Sequence, residues 1–275
     1  IYISGHASDD RINTFDASGN RYDFTSSLAG SYGLYVRYIK TTCTFDSVLE
    51  FGAVGDGSTN CTMAINRAGL AAGVGGRVYI PSGTFDVSDF GTAENAAVTA
   101  SVSATNTCIA AVSSGQLWYG EGTIHDSASS SDDEVFKSSG TDPVIIKGLT
   151  FTHEGGTNTG SAITVTGDDS VVDGVTITGF KYGIKVSKPR CRISSCDILN
   201  CVVGGAIFST TAASTDAIIS DNIIRDTGSM VVDADIGIQG PFVRGIIKNN
   251  SISNIGGYAI QLDQSGGGNP TSLGV

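Results

Sequence analysis

The chain has 275 residues, with 16 basic against 27 acidic side chains and a formal net charge of −11. A phosphate-neutralising surface needs the opposite sign, so nucleic acid and anionic membrane are excluded as principal partners. No apolar run reaches the roughly 18–20 residues that cross a bilayer, so membrane insertion is not expected either. The 37 glycines are about 13% of the chain, roughly twice ordinary usage, without a collagen period. Hydrophobic residues make up 40%, which excludes wholesale disorder, so the glycines serve many turns.

Residues 1–44 hold five of the nine tyrosines: Tyr2, Tyr22, Tyr32, Tyr35 and Tyr38. The alternation of Leu34-Tyr35-Val36-Arg37-Tyr38-Ile39 predicts short strands in an attachment or oligomerisation segment. Residues 45–90 differ in kind. Phe51-Gly52-Ala53-Val54-Gly55-Asp56-Gly57 reads as a glycine-punctuated turn, and Ser58-Thr59 as the N-cap of a short helix. Its apolar stripe is Cys61, Ile65, Ala68 and Ala72, and Gly73 stops it. The run from Gly76 to Val87 predicts two short strands about Pro81-Ser82-Gly83. Residues 91–140 are rich in Ala, Ser and Thr and predict irregular coils, with a loose excursion at residues 127–139.

From residue 143 the chain repeats. Segments starting at Ile146, Val172, Ile193, Ile219 and Ile247 each carry an apolar residue at positions one and six. Leu149, Val175, Cys196, Asn222 and Asn250 fall at position four. A second line follows each segment, with Ile163, Ile184, Ile207, Ile238 and Ile260 as its constant. A period of 20–30 residues built from short strands without helix predicts a solenoid. One coil cannot bury its apolar face alone, but stacked coils share a core. A β-sandwich with regular turns is the alternative, yet it would not repeat both lines in register five times. The expected fold is an all-β parallel β-helix over residues 91–275, with stacked Asn222 and Asn250 hydrogen-bonding along its axis.

The motif at residues 51–57, the small helix after it, and Gly75-Gly76-Arg77-Val78-Tyr79-Ile80-Pro81-Ser82-Gly83-Thr84-Phe85 resemble the opening of pectate-lyase-like right-handed β-helices. The resemblance covers roughly residues 45–265. Where that family commonly has Asp-Asp-Thr, this chain has Asn60-Cys61-Thr62, at the start of the helix. A strand-rich segment ahead of the motif resembles bacteriophage tailspikes and capsule depolymerases. The resemblance implies a right-handed β-helix and a homotrimer. It also implies a virion location, with residues 1–44 attached to other tail or baseplate proteins, and a glycan groove along the coils. Secretion is the alternative location.

Glycoside hydrolysis needs two carboxylates, about 5–5.5 Å apart for retention and about 6.5–9.5 Å for inversion. Asp233 and Asp235 lie at i and i+2 on one side of a strand, and Asp263 ends the corresponding strand one coil on. Glu154, after His153, is a further acid/base candidate. These four are the expected catalytic residues. Gln239 and Gln261 stack at one outward position, where amides can hold sugar hydroxyls, and Lys185 is the third substrate-binding candidate. Asp168-Asp169 reads as a turn whose carboxylates serve the local backbone.

Lys181, Lys185, Lys188, Arg190 and Arg192 put five of the 16 basic residues within twelve positions. That cluster is the leading site if the reaction is instead elimination on a uronate-containing glycan. Cys191, Cys196 and Cys201 match no common zinc spacing and read as buried small hydrophobes. His6, His125 and His153 are scattered, so no catalytic metal and no cofactor are expected. The sequence thus points to a depolymerase of a bacterial surface polysaccharide, capsule or O-antigen, by hydrolysis more than by elimination. A non-catalytic glycan-binding adhesin or virion stalk is the alternative. The Gly- and polar-rich stretch after Leu262 contains nothing able to cap a stack, which predicts further coils past Val275.

Overall fold

Each repeat contributes two closely spaced strands, a connection and a third strand, and successive repeats pair in parallel. The computed structural model describes residues 11–15, 21–25, 46–88, 107–111, 114–127, 134–138, 143–153, 160–201, 205–209, 214–227 and 236–262. Two units emerge, Ile1–Cys43 and Thr44–Val275. The first contains an antiparallel hairpin, Arg11–Phe15 against Arg21–Thr25. The alternating run at residues 34–39 lies outside the described residues.

The second unit is a parallel β-helix of three sheets. Sheet I runs from Thr107–Ala111 to Ile260–Gln261 and has seven described strands. Sheet II runs from Asp46–Ser47 to Ile246–Lys248 and sheet III from Asp56–Asn60 to Ser251–Ile255, with eight each. The chain visits II, III and I in turn. In the first coil the helix Thr62–Ala72 takes the slot of the sheet I strand. Its Asn66 acts as a substitute strand: the amide donates to Cys108 O at 2.6 Å and accepts from Ala110 N at 2.9 Å. Gly69 is required by close approach, because a Cβ there would stand 2.7 Å from the Trp118 ring.

The repeat frames align as the sequence pattern demands. Ile146, Val172, Ile193, Ile219 and Ile247 are successive Cα partners in sheet II. Phe151, Ile177, Ile198, Ile224 and Ile252 are partners in sheet III. The constant isoleucines of the second line form the inward column of sheet I. All but those of the last coil are buried, and each full burial of a large aliphatic is worth about 1.5–3 kcal/mol. In the last described coil the same column opens: Ile260 is 44% exposed against 0% for Ile238.

Sheets II and III join through a two-residue turn whose first residue is left-handed: Gly148, Gly174, Ser195, Asp221 and Asn249. The second residue of that turn points inward, and there the asparagine stack forms. Asn222 Nδ2 donates to Ile193 O at 3.1 Å and to Asn250 Oδ1 at 2.9 Å, while its Oδ1 accepts Cys196 N at 3.0 Å. Asn250 repeats the pattern one coil on, donating to Ile219 O at 2.9 Å.

Two sequence expectations need correction. Ser58 and Thr59 do not cap the helix. Their backbone N–H groups donate to Asp56 Oδ1 at 2.9 and 2.8 Å, closing a local turn within a strand. The helix starts at Thr62, whose N–H donates to Asn60 Oδ1 at 3.0 Å. The described strands between residues 107 and 138 are also more regular than the Ala/Ser/Thr content suggests, while residues 128–133 of the expected excursion lie outside the described residues. Strands at Thr107–Ala111, Gln116–Gly120, Thr123–Asp126 and Glu134–Ser138 stay in register with the later coils. Single large inward residues, Trp118, Ile124 and Phe136, hold these coils in place of a conspicuous apolar pattern.

Asn222→Ala would leave Cys196 N–H, Ile193 C=O and Asn250 short of partners inside the stack. The expected loss is about 2–3 kcal/mol of stability in urea unfolding, against less than about 0.5 for Ser253→Ala on an exposed strand position. Burial alone raises the Cys201 thiol to about 12, and mainly burial does the same for Cys196. Both are expected to resist a thiol reagent in the native protein at about pH 8 and to react fully in denaturant.

Candidate functional site

The residue after each constant isoleucine of sheet I points outward, because side chains alternate along a strand. Register places Lys137, Thr164, Lys185, Phe208, Gln239 and Gln261 in one outward column. A second column, set nearer the strand starts, holds Glu134, Ser161 and Tyr182. The three expected substrate-binding residues, Lys185, Gln239 and Gln261, therefore share one face and one column. The four expected catalytic acids, Glu154, Asp233, Asp235 and Asp263, lie outside the described residues.

Three features give this face its chemistry. Glu134 is held from several sides: Lys137 Nζ lies 2.6 Å from one oxygen, and the Thr164 hydroxyl donates to the other at 2.9 Å. Lys185 Nζ approaches that second oxygen at 3.7 Å. Tyr182 and Phe208 stack with ring centroids 4.7 Å apart and planes 27° from parallel. The ammonium groups of Lys181 and Lys185 each sit 5.2 Å from the Tyr182 centroid, a cation–π arrangement at both lysines. Gln239 and Gln261 continue the column with neutral donors and acceptors. Half-buried aromatic faces beside amides, hydroxyls and fixed charges suit a ligand carrying both apolar ring faces and hydroxyls.

The basic run at residues 181–192 does not form one site. Lys181 and Lys185 serve sheet I, whereas Arg190 belongs to the turn that leads into sheet II. There Arg190 pairs with Asp169 at 2.7 Å and Asp168 at 3.4 Å, so the Asp168-Asp169 turn is bound by an arginine one coil away. Arg244 pairs with Asp216 in the same manner at 2.7 Å. A depression of about 420 Å³ on this side is lined by Asp169, Val171, Arg190, Arg192, Asp216 and Ile218. His153 does not stand free beside Glu154: its Nδ1 lies 3.0 Å from Asp126 Oδ2, both side chains 3% exposed. His125 Nδ1 meets the Thr152 hydroxyl at 2.9 Å, and His6 lies outside the described residues. Among the described residues no three His, Cys, Asp or Glu side chains gather as metal ligands would.

Glu134, Tyr182 and Phe208 escape the sequence reading. Glu134 lies in the stretch that reads as irregular, and the two rings are 26 positions apart. The available signal was the column itself, since every residue after a constant isoleucine must point outward.

Stacked parallel coils with a capping helix and an inward asparagine ladder define a pectate-lyase-like β-helix. The chain belongs to the right-handed β-helix region family, whose model matches residues 120–273. Residues 45–90 match a second model, rhamnogalacturonase A/epimerase, pectate lyase-like. Among solved structures the chain is similar to a tailspike protein of E. coli bacteriophage HK620 in complex with a pentasaccharide. That match has a TM-score of 0.54 at 13% identity, covering 82% of this chain and 48% of the tailspike. It is also similar to the Streptococcus pneumoniae surface protein and adhesin PfbA, with TM-score 0.50, 16% identity, and 74% and 60% covered. A third is a Yersinia enterocolitica family 28 exopolygalacturonase, with TM-score 0.50, 12% identity, and 87% and 57% covered. The chain thus spans 48–60% of the length of these structures. At such identities the likeness is one of fold. No curated protein matches the chain.

The arginine–aspartate ladder gives a pH signature. Hydrogen bonds from Arg190 and Arg244 hold Asp169 and Asp216 below the ordinary carboxylate value of 3.8. A carboxylate depressed on folding adds stability above its unfolded value, lost as pH falls through the folded one. Thermal melts of the wild type and an Arg190→Gln/Arg244→Gln double variant should differ near neutral pH. They should converge as pH falls through the depressed folded values of Asp169 and Asp216, and the gap should shrink in high salt. A gap independent of pH would mean that the arginines act through packing alone.

Proposed function

We propose that the chain binds a bacterial surface polysaccharide along the outer face of sheet I and shortens it by glycoside hydrolysis, as a phage tailspike does at its host. The observation that carries this reading is the single column Lys185–Phe208–Gln239–Gln261 with Tyr182 stacked beside it. Coils about 4.8 Å apart present this column as a straight track, matched to an extended polymer rather than a compact ligand. The aromatic pair covers apolar ring faces and the amides take hydroxyls. Glu134, held by Lys137 and the Thr164 hydroxyl, is placed to position substrate on this face. The proton transfers fall to the sequence-assigned acids Glu154, Asp233, Asp235 and Asp263. The neighbours support the reading in kind, since one is a tailspike solved with a pentasaccharide and another an exopolygalacturonase. On this reading the unit formed by residues 1–43 serves attachment to the virion.

A second reading, a glycan-binding adhesin without catalysis, is favoured by one observation. Among the described residues the sheet I face has a single carboxylate, Glu134, and it is already engaged. Hydrolysis by the two-carboxylate route needs a partner for it or a separate pair.

A panel of bacterial capsules and O-antigens, followed by affinity electrophoresis and product sizing, separates the readings. Hydrolysis predicts shortened chains with new reducing ends, and an adhesin predicts retardation without shortening. An unsaturated, ultraviolet-absorbing product would instead identify a lyase. Phe208→Ala and Tyr182→Ala are each expected to weaken glycan binding about tenfold, or roughly 1.4 kcal/mol. Glycan affinity unchanged in both variants would remove sheet I as the binding face.

A further inference from the structure

We infer that the depression at the start of sheet II is a binding site for a carboxylate-bearing sugar unit, separate from the column on sheet I. It has a volume of about 420 Å³ and is lined by Asp169, Val171, Arg190, Arg192, Asp216 and Ile218. These residues come from three successive coils, so the site spans about 10 Å along the axis at strand spacings of about 4.8 Å. Such a space suits a sugar ring with its substituents and is too short for a protein segment. The strands that carry it directly follow those of Thr164, Lys185 and Phe208, so both sites belong to the same three coils.

The charges select what enters. Arg190 and Arg192 balance Asp169 and Asp216, so the lining is formally neutral in a chain that carries −11 overall. Three of these four groups are committed. Arg190 holds Asp169 through two hydrogen bonds of 2.7 and 2.8 Å, and Asp216 accepts an equivalent pair from Arg244 at 2.8 and 2.7 Å. Arg192 is different. Among the described residues it joins no ion pair, and it acts on Asp169 only through space. One uncommitted guanidinium calls for one negative charge, and its planar fork matches a carboxylate. A phosphate group, with nearly two charges, would meet the two aspartates of the rim.

The remaining groups specify a sugar. Val171 and Ile218 are the Cα partners of Arg192 on the coils before and after it, and both are half-buried. Their methyl groups offer a floor to the C–H face of a ring. Asp169 and Asp216 each keep lone pairs beyond those their arginines use, and sugar hydroxyls can donate to them. The rim is also preformed. Ten described non-glycine residues have a left-handed backbone; eight are Asp, Asn or Ser, and the other two are Arg190 and Arg244. Long side chains at such turns are fixed by their ion pairs, so a ligand meets groups that are already ordered.

The site stands independently of glycan binding at sheet I and can be tested alone. Methyl-resolved NMR of the full chain, titrated with methyl β-glucuronoside, should move the Val171 and Ile218 signals with millimolar affinity. Methyl β-glucoside lacks the carboxylate and acetate lacks the ring, so each should bind roughly tenfold more weakly. Inorganic phosphate should do no better than acetate. Arg192→Gln, with unchanged circular dichroism, should weaken uronoside binding roughly tenfold, and Arg192→Lys, which keeps the charge without the fork, about threefold. Phe208→Ala on sheet I should leave the response of both methyls intact. The inference is overturned if the uronoside leaves these methyls unmoved, or if acetate or the neutral glycoside binds as well as it does. Unchanged affinity in Arg192→Gln would overturn it equally. A glycan that binds at sheet I while Val171 and Ile218 stay silent to the uronoside would sink this inference and leave the proposed function standing.

Discussion

One constraint underlies the whole molecule: no coil can bury its apolar residues by itself. Three short strands present only a few inward side chains, too few to close a core, so each coil is stable only with the same residues above and below it. The cost of misregister is high, because a slip of one residue turns the isoleucine columns outward. The isoleucines at equivalent positions of sheets I, II and III are the consequence. The tight corner between sheets II and III tolerates the stacking only because its first residue is left-handed and its second is either apolar or an asparagine that bonds up and down the axis.

That constraint explains where variation is allowed. Inward columns are held to apolar residues and the corner asparagines, but outward columns are free, and each sheet has taken a different chemistry. In the column at the strand starts, sheet III carries Thr84, Thr123, Thr150 and Thr176 before Asp197 and Ile223. In the same column sheet II carries aliphatics between Arg77 and Arg192 and beyond, and the outer face of sheet I carries lysines, rings and amides. A solenoid turns such choices into continuous tracks, because a residue repeated once per coil recurs every strand spacing along a straight line. A single Phe or Gln would be unremarkable on a globular surface. Six outward positions in register form one continuous face.

The first coil shows how the stack is ended. The helix Thr62–Ala72 occupies the place of a strand, and Asn66 supplies one donor and one acceptor to the exposed edge of the strand Thr107–Ala111. Gln116 reinforces the seat, donating to Gly69 O at 2.6 Å while accepting from the Trp118 indole at 3.2 Å. Two amide side chains thus do for the edge what a further strand would have done. Each amide carries its donor and its acceptor on separate atoms, so one side chain meets a backbone C=O and an N–H at once, which an acceptor-only carboxylate cannot do.

The sequence by itself determined the solenoid, the register of its last five coils and the asparagine ladder, because position one, position four and position six recur whenever the chain completes a circuit. It also determined the helix at residues 62–72 and the common column of Gln239 and Gln261. Three things were decided only by tertiary structure. The regularity of residues 107–138 rests on one large inward residue per strand, which leaves no periodic trace in a short window. The basic run at residues 181–192 is compact in sequence but wraps a corner, so its members face different sheets. The Glu134–Lys185 approach and the Tyr182–Phe208 stack join residues 51 and 26 positions apart, brought together by a strand spacing that the chain acquires only once its coils have stacked.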